Sequence, residues 1–226
     1  MTDKSIPIME KTFARPDFYE RFCAVSNKDV AFFKSALTRF SHDLAGVIGA
    51  VSSSLELLSE LGGADAETLD LARDNAVTLM GRLRFFRAAF GNEGPLSDMA
   101  STRRVFEEYL KTVENKAVRF SCEWQTDDEV PLFYFRLLLL AGQVAAESLT
   151  RGGKITFTAR AGDRKITVAA VGAVVADVPV SDESAADVPP KAVPSVFLRE
   201  CLAERNWGLD AARDENGWVL TMTERR

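Results

Sequence analysis

The sequence predicts an α + α/β fold in two parts: an N-terminal antiparallel helical hairpin that forms a dimeric four-helix bundle, and a C-terminal α/β sandwich. In the first part, apolar residues recur every three or four positions through two long segments joined by a Gly-rich turn. Beyond Pro95, short strand-like segments alternate with helical ones. We therefore predict a lead-in over residues 1–28, the hairpin over 29–94 and the sandwich over 97–226.

The first long helix is predicted to continue to about Glu60, where Gly62 and Gly63 end it. Its apolar positions are spaced alternately by four and three residues, which is typical of a helix that buries one stripe. They are Phe33, Leu37, Phe40, Leu44, Val47, Val51, Leu55 and Leu58. His42 is the only histidine of the chain and lies two residues from Phe40 and from Leu44. It should therefore point about 160° away from the stripe, into solvent.

The second helix is predicted over residues 65–90, with a similar apolar stripe on one face. That stripe consists of Leu69, Ala72, Ala76, Leu79, Leu83, Phe86 and Phe90. Further apolar residues of both helices, Leu57, Leu71, Met80 and Phe85, lie off the two stripes. A single hairpin cannot bury all of this surface, whereas two hairpins can form a four-helix bundle. We therefore predict a homodimer.

The second part should form a mostly antiparallel sheet with helices on one face. Its predicted elements are a helix over 102–115, a strand over 118–124, a helix over 131–149, a hairpin of strands 154–160 and 164–171, a loop over 172–193, a helix over 194–207 and a last hairpin of strands 209–214 and 218–223. Asn216 and Gly217 form the two-residue signal for the last turn.

Composition and charge exclude several classes of function. The net charge of −5, without a basic stripe, argues against a nucleic-acid partner. The N-terminus lacks the apolar core of a signal peptide, and the longest apolar run, 137–141, is too short to span a membrane. Three widely spaced cysteines, Cys23, Cys122 and Cys201, suggest reduced thiols in a cytoplasm and do not form a metal site of the usual spacing. We expect a cytoplasmic protein with no intrinsic cofactor.

The face around His42 carries unusually small residues, among them two glycines. Glycine within a helix costs about 1 kcal/mol relative to alanine, so their presence indicates that a partner docks closely there. The alternatives are that His42 is an ordinary surface residue and that the small side chains serve packing within the protein. The predicted docking residues are Arg39, Ala45, Gly46, Gly49 and Ser53 on the first helix, and Asp70, Asp74 and Thr78 at matching height on the second.

A helical hairpin with an exposed His-Asp pair followed by an α/β sandwich resembles the core of a sensor histidine kinase. The parts that hold ATP in that fold are missing here. Segment 131–151 contains no asparagine for magnesium, and Gln143 and Glu147 occupy that zone. Segment 169–174 replaces the Asp-x-Gly-x-Gly box, and loop 172–193 replaces the Gly-rich lid. The resemblance therefore implies a degenerate kinase-like domain with no means of neutralising a triphosphate.

Over about residues 30–226 the chain resembles the bacterial histidine phosphotransferases of the ChpT type. The matching segments are Ser41-His42-Asp43-Leu44, Gly49-Ala50, Leu55-Glu56-Leu57-Leu58, the second-helix ending from Arg82 to Gly91, and the segment from Ala145 to Gly153. The resemblance weakens in loop 172–193. It implies a phosphorelay protein rather than an ATP-dependent enzyme.

In such a family, the histidine accepts a phosphoryl group from a receiver-domain aspartate and passes it to another receiver. His42 would be the nucleophile, since neutral imidazole is available at pH 7, and Asp43 would orient the ring or stabilise its protonated form. The resemblance implies that Mg²⁺ comes from the partner, and that the partners are response regulators and receiver domains of hybrid kinases. Two alternatives stay open: an ATP-dependent histidine kinase with atypical boxes, and a non-catalytic dimeric adaptor in which His42 is incidental.

Overall fold

A computed structural model of the chain describes residues 27–60, 66–91, 96–176, 188–213 and 216–225. Nearly all of the predicted lead-in and the predicted Gly62-Gly63 turn lie outside the described residues. In chain order the elements are α1 (Asn27–Glu60), α2 (Ala66–Phe90), α3 (Met99–Val113), β1 (Arg119–Thr126), α4 (Leu132–Ser148), β2 (Gly152–Ala159), β3 (Lys165–Val171), a 3-10 turn (Pro190–Ala192), α5 (Val193–Ala203), β4 (Trp207–Arg213) and β5 (Gly217–Glu224).

The two long helices of the hairpin pack antiparallel, and the buried line of α1 coincides with the predicted stripe only in the middle of the helix. Val47 and Ser54 of α1 are buried, and Ser54 accepts a hydrogen bond from Asn75 of α2. Ala36 is also buried, but against residues 188–193. In contrast, three members of the predicted stripe, Phe33, Leu37 and Leu55, are exposed. The spacing therefore predicted the helix correctly, while toward its ends the buried line shifts to adjoining positions, about 100° round the helix.

The sandwich consists of a five-stranded mixed sheet, in the order β1-β2-β3-β5-β4, with helices on one face. The β1 and β2 strands pair in parallel and the other neighbours pair antiparallel. Alternate residues of the strands are fully buried beneath α4, among them Ile155, Phe157, Ile166, Val168 and Leu220. The predicted sandwich is therefore confirmed, with α4 crossing its centre as a helix that is buried almost throughout.

The helix predicted over 194–207 is shorter than expected. It is α5, which ends at Ala203, and Trp207 instead begins β4. The chain reverses through Asn206, whose φ of 59° lies in the left-handed region that asparagine tolerates. Trp207 is then buried edge-on against Phe133 and Tyr134, at ring-centroid distances of 5.6 and 5.4 Å. Burial of this indole beside the start of α4 explains why the residue joins the sheet.

The predicted two-residue turn at Asn216 and Gly217 is also wrong. Gly217 is the first residue of β5 and pairs with Val171 of β3. The strands β4 and β5 are joined instead by residues 214–216, of which 214 and 215 lie outside the described residues. Gly217 is required by this neighbour, because a Cβ atom there would lie 2.0 Å from the carbonyl oxygen of Ala170.

The end of the predicted loop 172–193 packs against α1. Val188 is buried, and residues 190–192 form the 3-10 turn. The Ser35 hydroxyl donates a hydrogen bond to the carbonyl oxygen of Val188, and Val188 and Ala192 form a small apolar cluster with Ala36. This strap, residues 188–192, therefore lies one to two turns before His42 on the helix.

A continuous apolar core joins the hairpin to the sandwich. Phe85, which the sequence placed off the main stripe as surface for a dimer, is fully buried and stacks on Tyr109 at a centroid distance of 3.9 Å. Phe90 stacks on Phe197 of α5 at 5.3 Å. Phe85 therefore anchors α2 to its own sandwich and is unavailable to a second copy.

Candidate functional site

His42 lies near the middle of α1, on the side of the helix away from the apolar core. Its side chain is 88% exposed, whereas Phe40 and Leu44 pack against the core. The exposed position predicted from the spacing is thus confirmed. The Nδ1 atom of His42 lies 3.4 Å from the Oδ1 atom of Asp43, so this ring nitrogen faces the neighbouring carboxylate. The Nε2 atom is left as the ring nitrogen open to an incoming group.

A groove of about 940 Å³ opens beside His42, between α1 and the sandwich. Three parts of the chain line it. They are Thr38, Arg39, His42 and Asp43 of α1; Val144, Glu147, Ser148 and the nearby Thr150 and Ala176 around α4; and Pro189, Pro190 and Lys191 of the strap. The α4 wall is the segment in which the sequence lacks the expected asparagine. The groove can admit a reacting group from another molecule to the imidazole.

Arg39 is an internal link, whereas the sequence had predicted it to lie on an open docking surface. Its side chain is only 11% exposed. The guanidinium donates a hydrogen bond from Nη2 to Glu147, donates from Nη1 to the carbonyl oxygen of Pro190 at 3.0 Å, and places Nε 3.5 Å from Oδ2 of Asp43. The prediction of a free docking side chain is therefore corrected, because two hydrogen-bond acceptors and a nearby carboxylate hold this cation.

Two further charged residues of the site were not assigned a role from the sequence. Arg82 of α2 donates hydrogen bonds to the carbonyl oxygens of Asp43 and of Thr112, which fixes the His42 turn of α1 to the rest of the protein. Glu147 is one of the two residues found in place of the kinase asparagine. Burial raises the pKa of the Glu147 carboxyl, and the Arg39 guanidinium opposes that rise. The sequence signal that could have indicated a role for Glu147 is its charge, because the other residues of this helix are mostly apolar.

The sandwich carries a family signature. Residues 99–217, slightly more than half of the chain, match the model of the histidine phosphotransferase C-terminal domain. The chain belongs to the histidine phosphotransferase family. The C-terminal part that carries Glu147 and the strap is thus the family's own domain.

Two similar proteins extend the match. The protein phosphotransferase ChpT of Brucella abortus (strain 2308) is 31% identical over 121 residues, which cover 52% of this chain and 56% of that protein. The match thus spans little more than half the length of that relative. The solved structure of a bacterial phosphotransferase superposes with a TM-score of 0.69 at 22% identity, over 85% of this chain and 96% of that one. The second match shows a shared fold that includes both hairpin and sandwich.

On α1, the small residues near His42 form an open face. Ala45, Gly46, Gly49 and Ser53 are all exposed. A Cβ atom added at Gly46 or Gly49 would meet no atom within 4 Å. Packing among the described residues of one chain therefore does not explain the two glycines, and the docking role of this face stays a prediction.

Two of the docking residues predicted on α2, Asp70 and Asp74, are not at the height of His42. Arg82 hydrogen-bonds to Asp43, and Asn75 donates to Ser54, so these pairs set the register of the two helices. Asp74 and Asp70 are eight and twelve residues before Arg82, or about 12 and 18 Å along the helix axis. Thr78 is one turn away. The expected height match is corrected for both aspartates, because the helices pair further along than assumed.

The described ranges of the chain contain no clustered metal ligands and no membrane-spanning helix. Among these residues, no group of three or more histidine, cysteine, aspartate or glutamate side chains is placed to hold a metal ion. No helix in the described part of the chain is long and apolar enough to cross a membrane.

Proposed function

We propose that this chain is a phosphorelay histidine phosphotransferase that carries phosphoryl groups between receiver-domain aspartates through His42. The observation that carries the proposal is the only histidine of the chain, 88% exposed beside Asp43 at the rim of an open groove. Family membership supports the proposal, because residues 99–217 match the C-terminal domain of histidine phosphotransferases. The partners are response regulators and receiver domains of hybrid kinases.

In the proposed reaction, the Nε2 lone pair of His42 attacks the phosphorus of an aspartyl phosphate. A bond forms between Nε2 and phosphorus, the bond from phosphorus to the aspartyl oxygen breaks, and its electron pair leaves with the carboxylate. The proton on Nδ1 stays between the ring and Asp43, whose charge offsets the cationic phosphorylated imidazole. The reverse of the same step delivers the group to a second receiver.

The chain itself contributes positioning, while the receiver supplies the charge that neutralises the phosphoryl oxygens. We propose that Mg²⁺ and a cationic side chain enter with the receiver. Arg39 lies near His42, but its guanidinium is already held by Glu147 and Pro190. A partner that brings its own metal therefore fits this site.

The working form is proposed to be a homodimer through the hairpin. Each of α1 and α2 carries a row of exposed apolar side chains. These are Phe33, Leu37, Ile48 and Leu55 on α1, and Leu69, Met80 and Leu83 on α2. Bundle formation with a second hairpin would remove these rows from water, and the His42 face points elsewhere.

A cytoplasmic location is proposed from the chemistry of the relay and of the thiols. Response regulators and kinase receiver domains act inside the cell. Cys122 and Cys201 are both free thiols in the described structure, which fits a reducing compartment.

The function is tested by incubating the full chain with a panel of phosphorylated receiver domains and following the label. We expect label on the chain that acid releases and alkali does not, as a phosphorus–nitrogen bond requires. In parallel, calorimetry with magnesium-ATP should show no saturable binding. Absence of transfer from every receiver argues for the adaptor alternative, and micromolar ATP binding with self-labelling argues for the kinase.

A large side chain at Gly49 tests the docking face. Gly49 lies seven residues beyond His42, about 20° from it around the helix. We expect Gly49→Arg to keep its fold and assembly and to lose phosphotransfer from a receiver by more than about tenfold, because the side chain obstructs a close partner.

Gly49→Ala is the matched control for that experiment. It should raise helix stability by up to about 1 kcal/mol and leave transfer largely intact. Circular dichroism and light scattering report fold and assembly. Normal transfer by the Gly49→Arg protein would place the docking face elsewhere.

A further inference from the structure

Arg39 is shared between two carboxylates, and the sharing is uneven. Toward Glu147 of α4 it makes a hydrogen-bonded ion pair from Nη2. Toward Asp43 it makes only a longer ion-pair contact of 3.5 Å from Nε, and that Nε–H group is buried without a hydrogen bond among the described residues. Glu147 and the carbonyl oxygen of Pro190 together hold the guanidinium on the sandwich side of the groove.

Asp43 stands between this cation and the reactive histidine. Its Oδ1 atom lies 3.4 Å from Nδ1 of His42 and its Oδ2 atom lies toward Arg39. A carboxylate engaged fully by a guanidinium is a weaker acceptor for a second donor, since its charge is already neutralised. The imidazole and Arg39 therefore compete for Asp43, and Glu147 reduces Arg39's share.

We propose that Glu147 and Arg39 are positioning residues for His42. By holding Arg39, Glu147 leaves Asp43 free to accept the Nδ1–H group of the imidazole. The ring then keeps its Nε2 lone pair toward the groove, where the phosphoryl group arrives. This inference rests on the proposed phosphotransfer function and adds to it a role for the C-terminal domain: its α4 sets the tautomer of a histidine on the hairpin.

The other charged and titratable groups around the pair act differently. Arg82 reaches the backbone carbonyl of Asp43 rather than its carboxylate. Lys191 lies on the far wall of the groove, and Tyr109 is buried behind the site. None of these is in ion-pair contact with the carboxylate of Asp43 in the described residues. Glu147 is thus the group that can draw Arg39 away from Asp43.

Glu147→Gln tests the proposal, because it removes the charge and keeps the shape. Freed from its ion pair, Arg39 should bind Asp43 more fully. We expect the fraction of the Nδ1–H tautomer to fall, as measured from the imidazole nitrogen resonances at a pH where the ring is neutral. His42 is the only histidine, so its signals need no assignment. Phosphorylation of His42 by phosphoramidate, which requires no receiver, should slow about tenfold.

A double variant distinguishes positioning from simple attachment of the two domains. With Arg39→Gln added to Glu147→Gln, no cation competes for Asp43, so the tautomer ratio and most of the lost rate should return. A purely structural link predicts that the double variant is at least as impaired as the single one, and that result would overturn the proposal.

Glu108→Gln is the matched control. It removes a different and more exposed ion pair between hairpin and sandwich, Arg84–Glu108 at 3.3 Å, which does not contact Asp43. It should leave the tautomer ratio and the phosphoramidate rate unchanged. Equal values in Glu147→Gln and wild type would also overturn the proposal. Failure of every receiver to transfer would instead contradict the proposed function, because the tautomer ratio and the phosphoramidate rate are measured without a receiver.

Discussion

His42→Ala is expected to abolish acceptance of label from phosphorylated receivers, a loss of at least about 10³-fold, because the nucleophile itself is removed. The side chain is 88% exposed, and within the described residues its polar contact is with the exposed edge of Asp43, so its removal leaves no cavity and no buried unpaired group. Fold and assembly should therefore be unchanged by circular dichroism and light scattering, and the measured effect should be confined to phosphotransfer.

Ser41→Ala is the control for that experiment. Ser41 precedes His42, is also exposed, and is the nearest hydroxyl in sequence that could carry a phosphate. It should transfer at the wild-type rate. Label that remains on the His42→Ala protein and survives acid would identify a hydroxyl acceptor and contradict the assignment of His42.

Leu55→Lys is expected to dissociate the proposed dimer. Leu55 is 54% exposed in the single chain, near the end of α1, and belongs to the apolar rows of the hairpin. Burial of a leucine contributes about 2 kcal/mol, and a two-fold interface loses it twice, which is about 10³-fold in the dissociation constant. Lysine has a helix propensity close to that of leucine and suits a helix C-terminus, so the monomer should stay folded.

Val77→Lys is the matched control, on the same hairpin. Val77 is 65% exposed, but it lies eight residues from Leu69 and therefore points about 80° away from the α2 row. Sedimentation from nanomolar to micromolar concentration should show a dimer for wild type and Val77→Lys and a monomer for Leu55→Lys. A wild-type monomer, or a Leu55→Lys dimer, would mean that the rows are covered in another way.

Much of the site could be predicted because helix geometry is local. The direction of a side chain depends on its position relative to its neighbours, so the spacing around Phe40 and Leu44 was enough to place His42 in solvent. The same argument predicted the open face at Gly46 and Gly49. The alternation of strands and helices was likewise enough to predict the sandwich, and α4 was predicted to within about one residue at each end.

Which line of α1 meets α2 was not predictable from apolar spacing. The contact uses Ser54, a small polar residue that apolar spacing does not mark. Ser54 is buried because its hydroxyl donates to the carbonyl oxygen of Ala50 and accepts from Asn75. A small polar residue satisfied within the interface lets the helices approach, and it leaves Leu37 and Leu55 on the outside. The register error for Asp70 and Asp74 has the same origin.

The sequence by itself determined the hairpin, the sandwich, and a lone exposed histidine with an acid beside it, because each follows from residues close together in the chain. The tertiary structure alone decided what surrounds that histidine. Arg39 meets Glu147 across 108 positions and Pro190 across 151. An ion pair of this kind depends on how two domains dock, and docking depends on burial summed over many side chains. No local sequence pattern reports the result of this docking. Arg39 was therefore predicted to be a surface residue, and only the tertiary structure shows its partners.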